Sequence, residues 1–274
     1  VYCLDASTGT QIWNYKTGDL VVSSPAVADG KVFVGSYDYK VYCLNASTGA
    51  QMWNYTTGSP ITSSPVVAYG KVYVGSQDNK IYCLDASTGA QIWNYTTGDA
   101  VLSSPAVSDG KVYVGSYDSR VYCLDASTGT QIWNYKTGHL VFSSPAVIDG
   151  KVYAGSGDHK VYCLNASTGA QIWNYTTGDA VHSSPAVSDG KVYVGSYDYK
   201  VYCLNASSGE HVWSYTTGGW VDSPAVADGK VYAGSGDGIL YAFGNVIRVP
   251  EDFPTVQEAI NNATSGATII IAPG

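Results

Sequence analysis

The chain has 274 residues and a formal net charge of -8, with 45% hydrophobic but only 13% charged residues. Its 14 Lys and Arg are scattered singly, which excludes the basic stripe of a nucleic-acid binder, and no apolar run approaches the roughly 20 residues that span a bilayer. With 24 Tyr and 7 Trp the chain has far more to bury than a disordered sequence carries. From the N-terminus, residues 1–5 read as a short strand, and an Ala-Ser-Thr-Gly turn separates it from a second apolar run at 11–15. A Thr-Gly turn leads to a strand at 23–27, whose Pro25 confines it to the border of a sheet. The Asp-Gly pair at 29–30 is a hairpin signal. An apolar strand at 31–36, a turn at 36–38 and a strand at 40–44 complete the pattern, which then begins again.

The unit of 40 residues recurs from 41, 81, 121, 161 and 201, with Trp13, Trp53, Trp93, Trp133, Trp173 and Trp213 and the six cysteines at the same spacing. It loses one residue near Trp220 and stops after Gly244. Each unit holds four short strands and no helical stripe, and the two middle strands are apolar on both faces. Four-stranded units repeated at about 40 residues predict an all-β chain built as a β-propeller, whereas a parallel β-solenoid repeats at shorter intervals. The strand count predicts six blades, with the strand at 11–15 completing the last and residues 1–5 left over. That surplus suggests a chain cut from a longer one, of seven or eight blades as readily as six. Domain boundaries are expected at 1–244 for the propeller and 245–274 for a different, shorter segment.

The stretch CLDASTGTQIW resembles the tryptophan-docking motif of pyrroloquinoline quinone (PQQ)-type propellers. Its offsets fall on Cys3, Asp5, Thr8, Gly9 and Trp13 and recur six times. Cys stands where the family opens the motif with Ala, except at Ala242, and Asn45, Asn165 and Asn205 stand for the Asp. The resemblance implies that each of the six repeat Trp lies flat on a peptide of the adjacent blade. It also brings quinoprotein dehydrogenases into view, with PQQ, Ca²⁺, a catalytic Asp and a vicinal disulfide. This chain has no adjacent Cys pair, only three Glu (Glu210, Glu251, Glu258) and no long inserted loops. An enzyme is therefore not expected, and no cofactor is implied. The same repeat serves non-catalytic scaffolds of outer-membrane protein assembly and many surface proteins. Residues after Asn245 resemble the opening of a pectin-lyase-like right-handed β-helix, with a capping box at Thr255 and Glu258, an apolar stripe of Val256, Ala259, Ile260 and Ala263, a stop at Gly266 and a strand at 268–272.

The cysteines are expected to be free and buried, because equivalent positions on neighbouring blades lie too far apart for a disulfide. Seven Asn-x-Ser/Thr sequons occur, at Asn45, Asn54, Asn94, Asn165, Asn174, Asn205 and Asn262. A turn Asp recurs as Asp38, Asp78, Asp118, Asp158, Asp198 and Asp237, either as a ring of carboxylates or as residues bonding their own turn. His139, His159 and His182 fall in variable loops but lack the tight spacing of a metal motif, so no metal is expected.

Comparison of the repeats with one another shows two variable places, the loop at Asp19-Leu20 and its equivalents and the turn residues flanking the recurring Asp. The opposite turns are nearly uniform. Both variable connections should emerge on one face, so ligand contacts are expected from Asp38, Tyr39, Asp118, His139, Asp158, His159, His182, Asp198, Tyr199 and Trp220. The expected role is a non-catalytic binding scaffold, extracellular, at the cell surface or periplasmic, that takes a protein or glycan on this face. A fragment of a PQQ-dependent oxidoreductase, or the docking module of a carbohydrate-active β-helix protein, is the alternative.

Overall fold

The first hairpin of each repeat is set by its turn. Strands β1 (Tyr2–Leu4), β2 (Gln11–Asn14), β3 (Ala26–Ala28), β4 (Lys31–Gly35), β5 (Lys40–Asn45) and β6 (Gln51–Thr56) open the computed structural model, which describes residues 1–244, 246–249, 255, 257–258 and 268–271. Between β3 and β4, Asp29 and Gly30 take φ of 48° and 70°, the pair of positive angles that a two-residue hairpin loop needs. Pro25 lies just ahead of β3, and beside it Ser23 replaces the ladder that strand pairing would supply. The Ser23 hydroxyl donates to the Gly35 carbonyl and accepts the Gly35 N–H, both at 2.9 Å. β4 and β5 are buried along nearly their whole length, as strands covered on both faces must be.

The pattern repeats in antiparallel four-stranded sheets spanning 26–56, 66–96, 106–136, 146–176 and 186–216, each with its strands in chain order. A three-stranded sheet of Ala225–Ala227, Lys230–Gly234 and Leu240–Gly244 follows. The fold is all-β, of β-propeller type. β2 does not complete that last sheet, as the strand count had predicted, but pairs with β1 through Tyr2↔Asn14 and Cys3↔Trp13. Residues 2–4 supply to β2 what β5 supplies to β6, bulge included, and closing a hairpin a few residues long costs less entropy than closing a distant contact.

The chain divides into two compact units, 1–182 and 183–274, so the composition break after Gly244 falls within the second. Within the first unit the repeat Trp form the seams between blades. Trp13, Trp93 and Trp133 donate Nε1–H to the carbonyls of Ala46, Ala126 and Ala166 at 2.9, 3.2 and 3.1 Å. Each ring lies against the Gly of the next Thr-Gly turn, so closely that a Cβ on Gly49 would stand 2.7 Å from the Trp13 ring. Nearer the inner strands, Ser24, Ser64 and Ser104 each donate N–H to the hydroxyl of the serine forty residues on, at 2.8 to 2.9 Å. In the second unit Trp213 meets no Thr-Gly turn among the described residues and packs instead between Tyr193 and Phe243, ring centroids 6.0 and 5.5 Å away.

The Ala126 carbonyl accepts from both Trp93 and the Tyr73 hydroxyl, the latter at 3.0 Å. One blade earlier Phe33 stands where Tyr73 stands, fully buried, so the Ala86 carbonyl has the Trp53 donor but no phenol. Phe33→Tyr therefore restores a buried hydrogen bond and raises stability by about 0.5–1.5 kcal/mol, readable as an upward shift in Tm. An unchanged or lower Tm would mean that the hydroxyl is not accommodated there.

All six cysteines are free, and five of them (Cys43, Cys83, Cys123, Cys163, Cys203) are buried. Cys3 is only half-buried, contrary to expectation, because β1 has β2 on one side and, among the described residues, no strand on the other. Burial pushes the Cys43 thiol up to about 11 and the Cys83 thiol up to about 12. After Gly244, Val246–Val249 pairs in parallel with Thr268–Ile271, and the Thr255 hydroxyl accepts the Glu258 N–H at 3.2 Å as a helix cap does. The expected stripe Val256, Ala259, Ile260 and Ala263, with the stop at Gly266, lies outside the described residues.

Candidate functional site

The loop before β3 and the turn between β4 and β5 are tied together by the backbone, which puts the two variable places side by side. Tyr37 donates N–H to the Leu20 carbonyl at 2.8 Å, Tyr117 to Ala100 at 3.0 Å, Gly157 to Leu140 at 2.9 Å and Gly236 to Trp220 at 2.8 Å. At three of these four pairs, Leu20/Tyr37 excepted, the side chains exchange volume. A large ring in the turn meets a small loop residue at Ala100/Tyr117, and a turn glycine meets bulk at Leu140/Gly157 and Trp220/Gly236. A Cβ on Gly236 would sit 2.5 Å from Trp220 Nε1, and one on Gly157 would sit 2.6 Å from His139 Nδ1. Trp220 and His139 are thus laid over bare backbone and held there.

The turn carboxylates have a different task. Asp38 accepts the Gly18 N–H at 2.7 Å and the Tyr42 hydroxyl at 2.6 Å through Oδ2, and the Lys40 N–H at 3.2 Å through Oδ1. Asp118 and Asp158 repeat the latch with Gly98 and Tyr122 and with Gly138 and Tyr162. In the second unit Asp198 binds Tyr202 and the Lys200 N–H. Desolvation pushes Asp38 up, yet the Tyr42, Gly18, Ser36 and Lys40 hydrogen bonds outweigh it and leave its carboxyl below the usual range. Burial, then the bond to Asp38, pushes the Tyr42 phenol up to about 12. Of the two readings of this Asp, bonding within the turn describes its geometry. The same geometry bears on PQQ and Ca²⁺. The turn carboxylates are engaged by N–H and O–H donors through Oδ2, with Asp118 Oδ1 left buried and unpartnered, and no cluster of three His, Cys, Asp or Glu able to hold a metal occurs among the described residues. The donor set does not fit a quinone and Ca²⁺ centre.

The residue after each latch Asp is in the left-handed region. Tyr39, Asn79, Ser119, His159 and Tyr199 have φ between 68° and 70°. Their carbonyls are pinned by the threonine just beyond the outer strand that ends the same sheet, as Thr57 donates both N–H and Oγ1–H to Tyr39 O at 2.7 and 2.9 Å. Tyr39 and Tyr199 are 45% and 50% exposed, and His159 stands 3.5 Å from the Asp179 carboxylate.

One variable column was not read from the sequence. Val22, Thr62, Leu102, Phe142, His182 and Asp222 each follow the residue that anchors the loop, and they differ in every repeat. In the first unit Phe142 is 40% exposed and joins Tyr117 and His182, ring centroids 6.2 and 5.7 Å away. Burial, with His139 adding repulsion, pulls the His182 pKa down and favours its neutral form. The second unit has a matching pair, Tyr197 and the half-exposed Trp220 at 6.0 Å. His182 and Trp220 were among the predicted site residues, but their aromatic neighbours were not. Repeat comparison carries the signal, since this column varies as much as the others.

Among solved structures the chain is similar to the computationally designed Ika8 protein (18% identity, TM-score 0.79), with 86% of this chain and 75% of that one covered. It is also similar to BamB from Moraxella catarrhalis (23% identity, TM-score 0.60), with 86% of each chain covered. The quinohemoprotein alcohol dehydrogenase ADHIIG from Pseudomonas putida HK5 matches at 21% identity and TM-score 0.65, over 74% of this chain and 42% of its own. At these identities the likeness is one of fold. No curated protein matches the chain significantly. Residues 1–65, 41–184 and 161–246 match one family in overlapping stretches, and the chain accordingly belongs to the PQQ-type repeat family described as outer membrane protein assembly factor BamB.

Proposed function

We propose that the chain is a non-catalytic binding module that works outside the cytoplasm and takes a protein or glycan partner on the variable loops and turns of each unit. The observation that carries this reading is the left-handed turn position. A side chain there costs about 1–2 kcal/mol relative to glycine, and the chain itself uses Gly238 and Asn79 at that place. Tyr39, His159 and Tyr199 stand there nonetheless, half-exposed or paired only at the surface. Side chains kept against a backbone cost, beside the aromatic groups around Phe142 and Trp220, favour contact with a partner over unconstrained drift. The family assignment and the fold likeness to BamB support a scaffold, and the engaged turn carboxylates weigh against the quinoprotein alternative. The parallel pair of Val246–Val249 with Thr268–Ile271, 22 residues on, supports the reading of the tail as a first β-helix coil.

Tyr39→Gly and Tyr199→Gly are the decisive variants. Each should raise Tm by relieving the turn and weaken binding to a ligand found on a glycan or peptide array, whereas Phe142→Ala and Trp220→Ala should weaken the same ligand at least tenfold. Ser47→Ala and Ser87→Ala, on the uniform turns, should leave it unchanged. Equal losses from both sets, or no ligand on either array, would overturn the reading in favour of a spacer.

A further inference from the structure

The seven sequons are alike in sequence, but the fold sorts them. Asn45 and Asn165 sit half-buried in Ser-Thr-Gly turns and Asn205 in the matching Ser-Ser-Gly turn, and each carbonyl oxygen accepts two backbone N–H groups, Ser47 and Thr48 in the first case at 2.9 and 3.0 Å. They do what Asp5, Asp85 and Asp125 do in the other repeats. Asn54, Asn94 and Asn174 lie instead on the outermost strands Gln51–Thr56, Gln91–Thr96 and Gln171–Thr176, and all three are exposed. No partner among the described residues holds their amides. Residues two apart in a strand share a face, so the Thr of each triplet (Thr56, Thr96, Thr176) is presented, also exposed, beside its Asn. Asn262 lies outside the described residues.

We propose that Asn54, Asn94 and Asn174 are N-glycan acceptors, and that the turn asparagines are not. The chain supplies its own contrast. Where Lys replaces the Thr, at Lys16 and Lys136, the triplet is lost, and one of those two asparagines, Asn134, is half-buried and taken by the Arg120 guanidinium. In the transfer, the amide Nδ2 forms a bond to the anomeric carbon of a glycan carried on a polyprenyl phosphate or pyrophosphate. The bond from that carbon to the phosphate oxygen breaks, the lipid phosphate leaves with the electron pair, and the amide proton passes to a base of the transferase. The consequence is local. Each of these strands ends its sheet and offers unpaired N–H and C=O groups, and a glycan on its face obstructs the edge-to-edge pairing that such strands invite.

This rests on the reading that the chain works outside the cytoplasm. The test is glycopeptide mapping of the protein purified from the cells that make it, together with its digestion by protease added both to intact cells and to cells whose outer envelope has been opened with the cytoplasmic membrane left whole. Glycans on the three strand asparagines, lost one at a time in Asn54→Gln, Asn94→Gln and Asn174→Gln and at Asn54 in Thr56→Ala, are the expected result. Lys16→Thr should add a glycan at Asn14. If the protein is digested from outside yet its strand asparagines are bare, or the glycans sit on Asn45, Asn165 and Asn205, the proposal fails while the location stands. If it is neither digested nor glycosylated, both fail.

Discussion

Trp93→Ala lowers the unfolding free energy by about 3–5 kcal/mol, the range for removing a buried large aromatic side chain. The ring is 7% exposed, packs 5.9 Å from the Tyr73 ring, lies on Gly129 and donates to the Ala126 carbonyl at 3.2 Å. Gly129 is left-handed at φ 72°, so the turn has no side chain with which to fill the space, and the seam between two blades is left with a cavity. Trp213→Ala costs clearly less, because Trp213 has no Thr-Gly turn among the described residues to lie on and is only half-buried. Urea unfolding of the two variants checks the difference. Similar losses from both would show that burial within a blade, and not docking between blades, accounts for the tryptophans.

Asp38→Ala is the second large effect, about 2–3 kcal/mol. The substitution strips the acceptor from the largely buried Tyr42 hydroxyl, an unsatisfied buried donor that costs about 1–3 kcal/mol, and also releases the Gly18 N–H, which is exposed and can bond water instead. The latch also fixes the pH limits. Asp38 has a folded pKa below its unfolded value of 3.8, so its contribution is present above that value and is lost as pH falls through the folded pKa. Tyr42 is shifted the other way, from 10.0 to about 12, so its contribution is complete below 10.0 and is lost as pH rises toward 12. A plateau of stability between those limits is expected from Tm measured against pH. In Asp38→Ala the acid limb should become shallower, and an unaltered limb would assign acid unfolding to other carboxylates.

How much of this was legible beforehand varies by element. The period of forty and the four strands follow from spacing and residue type alone, and the docking role of the tryptophans follows from the resemblance to PQQ-type propellers. The buried thiols follow from the apolar middle strands, and Cys3 departs only because its strand lacks, among the described residues, a neighbour that the pattern takes for granted. The latch was half legible. Asp and Tyr recur together four residues apart, as in Asp38 and Tyr42 or Asp158 and Tyr162, but a sequence shows no hydrogen bond, so the same Asp could equally be read as a ligand. The left-handed φ at Tyr39 and His159 was not legible, since glycine or asparagine ordinarily announces that region and here tyrosine and histidine occupy it. The group around Phe142 needed coordinates, because Tyr117, Phe142 and His182 come from three repeats.

The seam hydrogen bonds within the first unit join a residue to one 33 to 55 positions along the chain, in the next blade, as in Trp13 to Ala46, Tyr15 to Gln51, Ser24 to Ser64 and Tyr73 to Ala126, and as far as Lys71 to Ala126. Such a rule contains no long-distance instruction. A duplication or loss of forty residues leaves every remaining seam with the partner it had, so repeat number can change in a lineage without a compensating substitution. What does change is the number of exposed turn residues of the Tyr39 kind. For a partner with repeated epitopes, each added unit raises the local concentration of contacts without altering any one of them, so avidity can evolve by counting while the affinity of a single contact stays fixed.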